Sequence, residues 1–273
     1  MLGASRASLA QARARLSQLG ASAADLGTLS EELLAVVELL SHELPLRRTL
    51  ADYAVEVPAK QQIVQSLLRD RVSATTLGFL VDVVSARWSR PGDLVDSLET
   101  LAVVASFEQA LADGTLDTVE DEVFRFDRIL ERETALREAL TDPNHSVASK
   151  RELLGALLRD KVAPVTLRVV TAAATAAPHR RTMQVALTLF SRLAADVRER
   201  LNARVTLAAP PSDTQLERLG TELSRVYGKQ IGLRVEVDPA IVGGLVIRVG
   251  DEVLDASIAR RLDIARRSLT DHV

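Results

Sequence analysis

Apolar residues recur at helical spacing from the start of the chain to about residue 202. Between Leu29 and Leu40, the side chains of Leu33, Val36 and Val37 follow one another at the spacing of one turn, as on one face of an amphipathic helix. Comparable stripes, separated by short polar stretches with proline or glycine, fill the rest of this region. The pattern predicts a succession of amphipathic helices that bury one face each.

The helical pattern occurs twice, with a period of 90 residues. Residues 46–77 align without a gap with residues 136–167, and 13 of the 32 aligned positions are identical. Upstream, Glu32 aligns with Glu122, while Asp127 interrupts an apolar face that is intact in the first copy. A match of this length without gaps indicates that a helical domain has been duplicated.

The repeat and the punctuation of the chain predict three domains. The first helical domain spans residues 1–112, the second spans residues 113–202, and a third domain spans residues 203–273. Asp113-Gly114 is the expected junction between the two copies, because this dipeptide favours a turn.

The hydrophobic pattern changes after Asn202 from helical spacing to alternation. A strand ending near Leu207 is followed by Pro210-Pro211, and Ser212 or Asp213 can cap the next helix. Two more alternating segments and a final helix from about Ser257 complete the pattern of a small βαββα module. The fold class predicted for the whole chain is therefore α+β and mostly α.

Composition restricts the possible partners and chemistry. Aromatic residues make up 3% of the chain and hydrophobic residues 47%, so the core must rely on Leu, Val and Ala. A net charge of −3 argues against nucleic acid as a partner. The absence of cysteine excludes disulfides and thiolate metal sites. Uncharged runs reach only about 10 residues, too short to cross a bilayer, so any membrane attachment is expected to go through a partner.

The first 24 residues contain three arginines and no acidic residue. Such a segment resembles an organellar transit peptide, but it equally fits an Ala-rich first helix with solvated arginines. Both interpretations remain open from the sequence.

No catalytic, cofactor or metal site can be assembled from the sequence. The carboxylates of Asp238, Asp251, Glu252 and Asp255 lie near one another in the sequence, but no histidine or calcium-binding spacing accompanies them, and Asp255 suits a helix cap. The glycine pair at residues 243–244 precedes a strand rather than a helix, which indicates a turn and not a dinucleotide site. The four histidines are scattered. Neither a nucleophile elbow nor a phosphate-binding glycine loop occurs.

The segment from Ile231 to Arg261 resembles the C-terminal signature of the delta subunits of F-type ATP synthases, the oligomycin-sensitivity-conferral protein family. The resemblance rests on apolar positions at strand spacing and on a specific set of polar and glycine residues, which are Asp238, Gly243, Gly244, Arg248, Gly250, Asp251, Asp255 and Ser257. Removing one 90-residue repeat from 273 leaves 183 residues, the usual length for this family. The chain therefore resembles the duplicated actinobacterial form that is not fused to the b subunit. The Tyr-Ala-x-Ala pattern usual in the family's first helix is absent.

The resemblance implies a non-catalytic stator subunit without a cofactor. The helical part is expected to hold the N-terminal helices of the alpha subunits, and the C-terminal domain to bind the b subunit of the peripheral stalk, with one copy per complex at the cytoplasmic face of the plasma membrane. The second helical copy is expected to lengthen or brace the stator. The candidate docking residues are Leu67, Leu68, Leu157, Leu158, Arg260, Arg261 and Leu262.

Alternatives from other classes remain open at this point. A helical-repeat scaffold unrelated to ATP synthase would show the same duplication. A hydrolase or transferase built on the C-terminal module would need a pocket with convergent polar groups. The arginines at 260 and 261 equally fit a solvated face near a helix end.

Overall fold

The structure is a computed structural model that describes residues 1, 3–17, 19, 21–175, 182–200, 202–208, 210–227, 231–238, 244–249 and 252–255. The chain divides into two compact units, Met1–Ala194 and Ala195–Val273. The first is helical, and the second contains a small sheet with one described helix. The predicted fold class, α+β and mostly α, is confirmed.

Eleven described helices follow one another before the first strand. They are α1 (Gly3–Ser17), α2 (Ala23–His42), α3 (Leu44–Ala51), α4 (Val57–Leu68), α5 (Ala74–Ser85), α6 (Pro91–Ala112), α7 (Leu116–Arg132), α8 (Thr134–Thr141), α9 (Val147–Leu158), α10 (Pro164–Thr175) and α11 (Met183–Arg200).

The helices repeat with the period found in the sequence. Both ends of α8, α9 and α10 lie 90 residues after the corresponding ends of α3, α4 and α5. Helix α7 ends 90 residues after α2, and α11 lies at the corresponding distance from α6, with ends that differ by two residues. The duplication therefore extends from the sequence to the helix boundaries.

Helix α6 is the central element of the helical unit. It packs on α1, α2 and α3 of the first copy and on α7 and α10 of the second. Its middle turns are buried all round, including polar side chains such as Ser97 and Ser106, and Ser106 shares a buried hydrogen bond of 2.7 Å with Ser30 of α2. Helix α6 thus serves both copies, and the division into two helical domains at residue 112 stays a prediction.

The turn expected at the junction is present. Helix α6 ends at Ala112, and Gly114 adopts a φ of +68°, a left-handed conformation that glycine adopts at little cost. Helix α7 begins two residues later.

Helix α1 is part of the folded helical unit. Its buried face consists of Ser5, Ser8, Ala12 and Leu16. The Ser5 hydroxyl donates to Asp93 of α6 at 2.7 Å. Small side chains allow this close approach, so the interpretation as a first helix is confirmed.

The C-terminal unit contains a four-stranded mixed sheet and one described helix. The elements are β1 (Asn202–Leu207), α12 (Asp213–Tyr227), β2 (Gly232–Val237), β3 (Leu245–Val249) and β4 (Glu252–Asp255). The strand order is β2-β1-β3-β4. Strand β1 is parallel to β2 and antiparallel to β3, and β4 is antiparallel to β3.

Alternation of side chains places one face of this sheet against α12. Val205, Ile247 and Val249 are buried together with Leu223 of the helix and with Ile231. As expected, Ser212 caps α12: its hydroxyl accepts from the Gln215 backbone N–H at 3.3 Å, and the Gln215 side chain accepts from the Ser212 N–H at 2.9 Å.

Strand β4 corrects the predicted βαββα order. A fourth strand follows β3 directly, and Asp255 is its last residue. Four residues with only Val253 and Leu254 as apolar members give too short a pattern to distinguish from a turn. The helix predicted from Ser257 lies outside the described residues.

Candidate binding surfaces

The leucines predicted to dock a partner differ in exposure. Leu67 on α4 is 45% exposed, and its equivalent Leu157 on α9 is 39% exposed. Leu158 is half-buried. Leu68 is 8% exposed and contributes to the core, so its side chain is not available at the surface for docking in this structure. One leucine of the repeat therefore remains exposed in each copy, at positions 67 and 157.

The described members of the C-terminal signature are structural. The backbone N–H of Asp238 donates to the Leu207 carbonyl at 2.9 Å, which extends the pairing of β1 with β2. Gly244 has a φ of +85°, so it forms the predicted turn before β3. Arg248 is exposed on β3, and Asp255 ends β4. The remaining members and docking candidates lie outside the described residues, namely Gly243, Gly250, Asp251, Ser257, Arg260, Arg261 and Leu262.

Glu32 on α2 and its repeat equivalent Glu122 on α7 each hold the start of another helix. Glu32 accepts from the Ser73 backbone N–H and from the Ser73 hydroxyl, both at 2.8 Å, where α5 begins. Glu122 accepts from the Ala163 backbone N–H at 2.9 Å and from the Thr166 hydroxyl at the start of α10. A carboxylate at a helix N-terminus is favoured by the helix dipole and by the unpaired N–H groups. The glutamate shared by the two copies is therefore a cap between helices.

Each copy also buries a lysine at the same position. Lys60 is 4% exposed and Lys150 is 5% exposed. Burial lowers the pKa of both lysines, and the nearby carboxylates of Asp52 and Asp142 oppose that shift. In the sequence, the lysine and the aspartate are each identical in the two copies of the repeat, but nothing indicated that the lysines are buried. They are structural groups rather than a catalytic pair.

A groove lies between α1 and α5 of the first copy, with a volume of about 580 Å³. We call it the α1–α5 groove. Ala12 and Ala14 of α1 and Ser85 and Ala86 of α5 line it with small side chains, and Phe79 supplies an aromatic surface. Sequence reasoning missed this groove, because small and polar side chains give no apolar stripe.

A second cleft, of about 620 Å³, lies between the copies, and we call it the inter-copy cleft. One wall is α2 of the first copy, and the other is formed by α9 and α10 of the second. Two ion pairs span it: Arg168 with Glu31 at 2.6 Å and Arg151 with Glu38 at 3.0 Å. Leu34 and Leu167 give its walls apolar character.

The two openings use equivalent positions of the two copies. Residues 61, 82 and 85 line the α1–α5 groove, and residues 151, 172 and 175, each 90 positions later, line the inter-copy cleft. The face of α9 and α10 that faces the cleft thus corresponds to the face of α4 and α5 that borders the groove. In the second copy this face lies opposite helix α2, and in the first copy it lies opposite helix α1.

A third groove, of about 540 Å³, lies in the C-terminal unit where β1 and β3 meet α12. Its apolar residues are Leu207, Leu216, Leu219 and Leu245. We call it the C-terminal groove. Its leucines and its open shape suit an apolar segment of another chain.

Among the described residues, no group of three or more histidine or acidic side chains could hold a metal ion. None of the described helices is long and apolar enough to cross a membrane.

Comparison with known proteins gives a consistent result. The sequence profile of the ATP synthase delta (OSCP) subunit family matches residues 103–269. ATP synthase subunit delta of Streptomyces coelicolor is 47% identical over 98% of both chains. The subunit of the same name from Thermobifida fusca is 46% identical over 98% of this chain and 99% of its own. A chain in the cryo-EM structure of the Toxoplasma gondii mitochondrial ATP synthase hexamer covers 63% of this chain and 97% of its own, with 21% identity and a TM-score of 0.35, a likeness too slight to support an argument.

Proposed function

Because the chain belongs to the ATP synthase delta (OSCP) subunit family, it is a non-catalytic subunit of the peripheral stalk, and we propose that it joins head and stalk through two separate surfaces. The α1–α5 groove receives the N-terminal helix of an alpha subunit. The C-terminal groove receives the end of the b subunit. One copy of the chain per complex, at the cytoplasmic face of the plasma membrane, then resists the torque of the rotor.

The observation that carries the alpha-subunit proposal is the correspondence between the two openings. In the second copy, the face of α9 and α10 lies opposite an amphipathic helix of the same chain. The equivalent face of the first copy borders a groove of similar volume, and helix α1 forms the other wall of that groove. An amphipathic helix laid into a groove is a common mode of recognition. The small side chains of α1 allow the backbone of the bound helix to come close.

The chemistry of the C-terminal groove supports the proposal for the b subunit. Four leucines line it, and Pro210 and Pro211 stiffen the loop at its rim. A stalk helix that ends with apolar side chains would bury them there. Replacing Leu216 by Asp should weaken binding of the cytoplasmic part of b roughly tenfold or more, since a carboxylate would then be buried in an apolar contact.

The test of the alpha-subunit proposal is calorimetric titration of the purified chain with a peptide copying the N-terminal helix of the cognate alpha subunit. The Gln11→Trp variant fills the α1–α5 groove from an exposed position. Its matched control is Ala10→Trp, since Ala10 is also exposed but does not line the groove. Both variants add a tryptophan side chain to the exposed surface of α1, but only the one at position 11 enters the proposed site.

The proposal predicts 1:1 binding with a negative heat-capacity change, because apolar surface is buried. Binding should weaken at least tenfold in Gln11→Trp and stay unchanged in Ala10→Trp. Equal binding by both variants would overturn the assignment of this groove. No binding by the folded unmodified chain would overturn docking of the isolated helix altogether.

A further inference from the structure

We propose that the outer face of α7 is an interaction surface for a cationic amphipathic helix of a partner protein. The face is centred on Phe124 and includes Asp121, Asp127, Arg128 and Glu131. We call it the α7 face. It goes beyond the two surfaces proposed above, and only its test relies on the chain's place in the ATP synthase.

The first observation is exposure. Phe124 is 64% exposed, whereas the other phenylalanines that the structure describes are almost entirely buried. Phenylalanine is rare in this chain. Buried α7 residues such as Val123 and Phe126 lie on the opposite side of the helix. An aromatic side chain left at the centre of a polar helix face is typical of a binding anchor.

The second observation comes from the repeat. Every α2 residue that lines the inter-copy cleft has its equivalent on or beside the α7 face: Leu34 corresponds to Phe124, and Glu31 to Asp121. In the first copy this surface contacts α9 and α10, and Glu31 receives Arg168 at 2.6 Å. The same surface on the second copy has no third copy of the repeat to meet. The chain thus contains its own example of what such a face binds at Phe124 and Asp121: a helix with an arginine beside an apolar ridge. The second ion pair of the cleft is not repeated, since Glu38 corresponds to Arg128.

The third observation is charge. Helix α7 carries six carboxylates and three arginines. Arg125 pairs with Asp121 at 3.7 Å and Arg128 with Glu131 at 3.0 Å, so two arginines and two carboxylates neutralise each other and the remaining charge comes from the excess of carboxylates. Burial and the neighbouring Glu131 raise the pKa of Asp127. The face remains net negative, and a cationic partner complements it.

A second copy of this chain does not supply that partner. In the first copy, the positions equivalent to Arg151 and Arg168 are Gln61 and Gly78. The surface that a second copy could offer therefore lacks both cations that contact α2. Head-to-tail stacking of chains is disfavoured for this reason, and the occupant is a different protein.

The affinity test uses the full chain and ATP synthase complexes depleted of this subunit. Phe124→Ala should weaken rebinding roughly tenfold or more, since a central aromatic anchor is removed. The matched control is Ile129→Ala on the same helix: Ile129 is 47% exposed but lies about 140° around the helix from Phe124. The melting temperature should not change in either variant, because both side chains are at the surface.

The partner is identified by cross-linking. The chain has no cysteine, so Arg125→Cys, beside Phe124, provides a single site for a photoreactive label, and Ile129→Cys provides the control. The expected product joins position 125, but not position 129, to a basic helical segment of another subunit. An adduct with a second copy of this chain, or no adduct, would overturn the proposal.

The outcomes separate this proposal from the proposed function. If the unmodified chain rebinds and Phe124→Ala rebinds equally well, only the α7 face is refuted. If the unmodified chain does not rebind at all, the stalk role is refuted, and the α7 face loses its partner with it.

Discussion

The carboxylate of Glu32 should contribute substantially to the stability of the helical unit. It accepts two hydrogen bonds from Ser73, both at 2.8 Å, at the N-terminus of α5. Hydrogen bonds to a charged group contribute about 1.5–3 kcal/mol each, and the half-buried position of Glu32 places its bonds at or below the lower end. Glu32→Ala should therefore lower the free energy of unfolding by about 2 kcal/mol. Glu122→Ala should do the same for α10, where two donors converge on one carboxylate oxygen.

The network around Glu32 also predicts non-additive effects. Ser73 caps α5 by accepting from the Thr76 N–H at 3.2 Å, so Ser73→Ala alone should cost about 1 kcal/mol. In the second copy an alanine stands at this position, and Thr166 donates to the glutamate instead. The hydrogen bond from the Ser73 hydroxyl to Glu32 is lost in either single variant, so the double variant Glu32→Ala with Ser73→Ala should cost less than the sum of the single changes.

Urea denaturation followed by circular dichroism measures these differences. Hydrogen exchange of the α5 amides would locate the loss, which should begin at the first turn of that helix. The exposed Glu152 on α9 provides a control, and Glu152→Ala should change stability by less than about 0.5 kcal/mol. An equally small effect of Glu32→Ala, or additive effects in the double variant, would refute the reasoning.

Three further predictions concern individual groups. Gly114→Ala should destabilise the protein by about 1 kcal/mol, because the φ of +68° at this position is unfavourable for other residues. Gly78→Ala within α5 should stabilise the protein by a similar amount, because the added methyl group meets open space. Thermal melts of the two variants measure this difference. Asp127→Asn should raise the melting temperature at pH 7, because the raised pKa of Asp127 means that the folded state disfavours its charged form. Below pH 3.8 this gain should be absent, because Asp127 is then protonated in both the folded and the unfolded state. Burial and the 2.8 Å hydrogen bond to Glu252 raise the pKa of Tyr227 to about 12. The stability that this tyrosine contributes should therefore be lost between pH 10 and 12. Unfolding measured as a function of pH should show no such loss in Tyr227→Phe.

The helices of the first unit were predictable because their apolar residues are large and regularly spaced. The stripe from Leu29 to Leu40 is buried as expected, and the 90-residue repeat predicted matching helix boundaries. The polar part of the buried face of α1 was not predictable, because Ser5 donates to Asp93 of α6 and Ser8 to the Arg87 carbonyl, and no hydrophobic pattern marks these serines.

The docking surfaces were harder to predict than the fold. Sequence spacing placed both Leu67 and Leu68 among the docking candidates, but only packing decides that Leu68 faces the core. The α1–α5 groove arises from small side chains on helices far apart in the sequence. No docking candidate from the sequence lay on α7, and the 64% exposure of Phe124 is seen only in the structure.

The comparisons decide between the classes of function left open by the sequence. A scaffold unrelated to ATP synthase does not agree with full-length relatives that are 42–47% identical, so that alternative is wrong. The stator interpretation drawn from the segment Ile231–Arg261 is confirmed by the family match. The individual docking residues stay predictions.

Proton-driven ATP synthesis in membrane vesicles tests the stator role most directly. Vesicles carrying ATP synthase depleted of this chain should hydrolyse ATP at the head but fail to make ATP from a proton gradient. Adding back the purified chain should restore synthesis, because torque is then resisted between head and stalk. Full synthesis by the depleted vesicles, or no recovery when the folded chain is bound, would contradict the account.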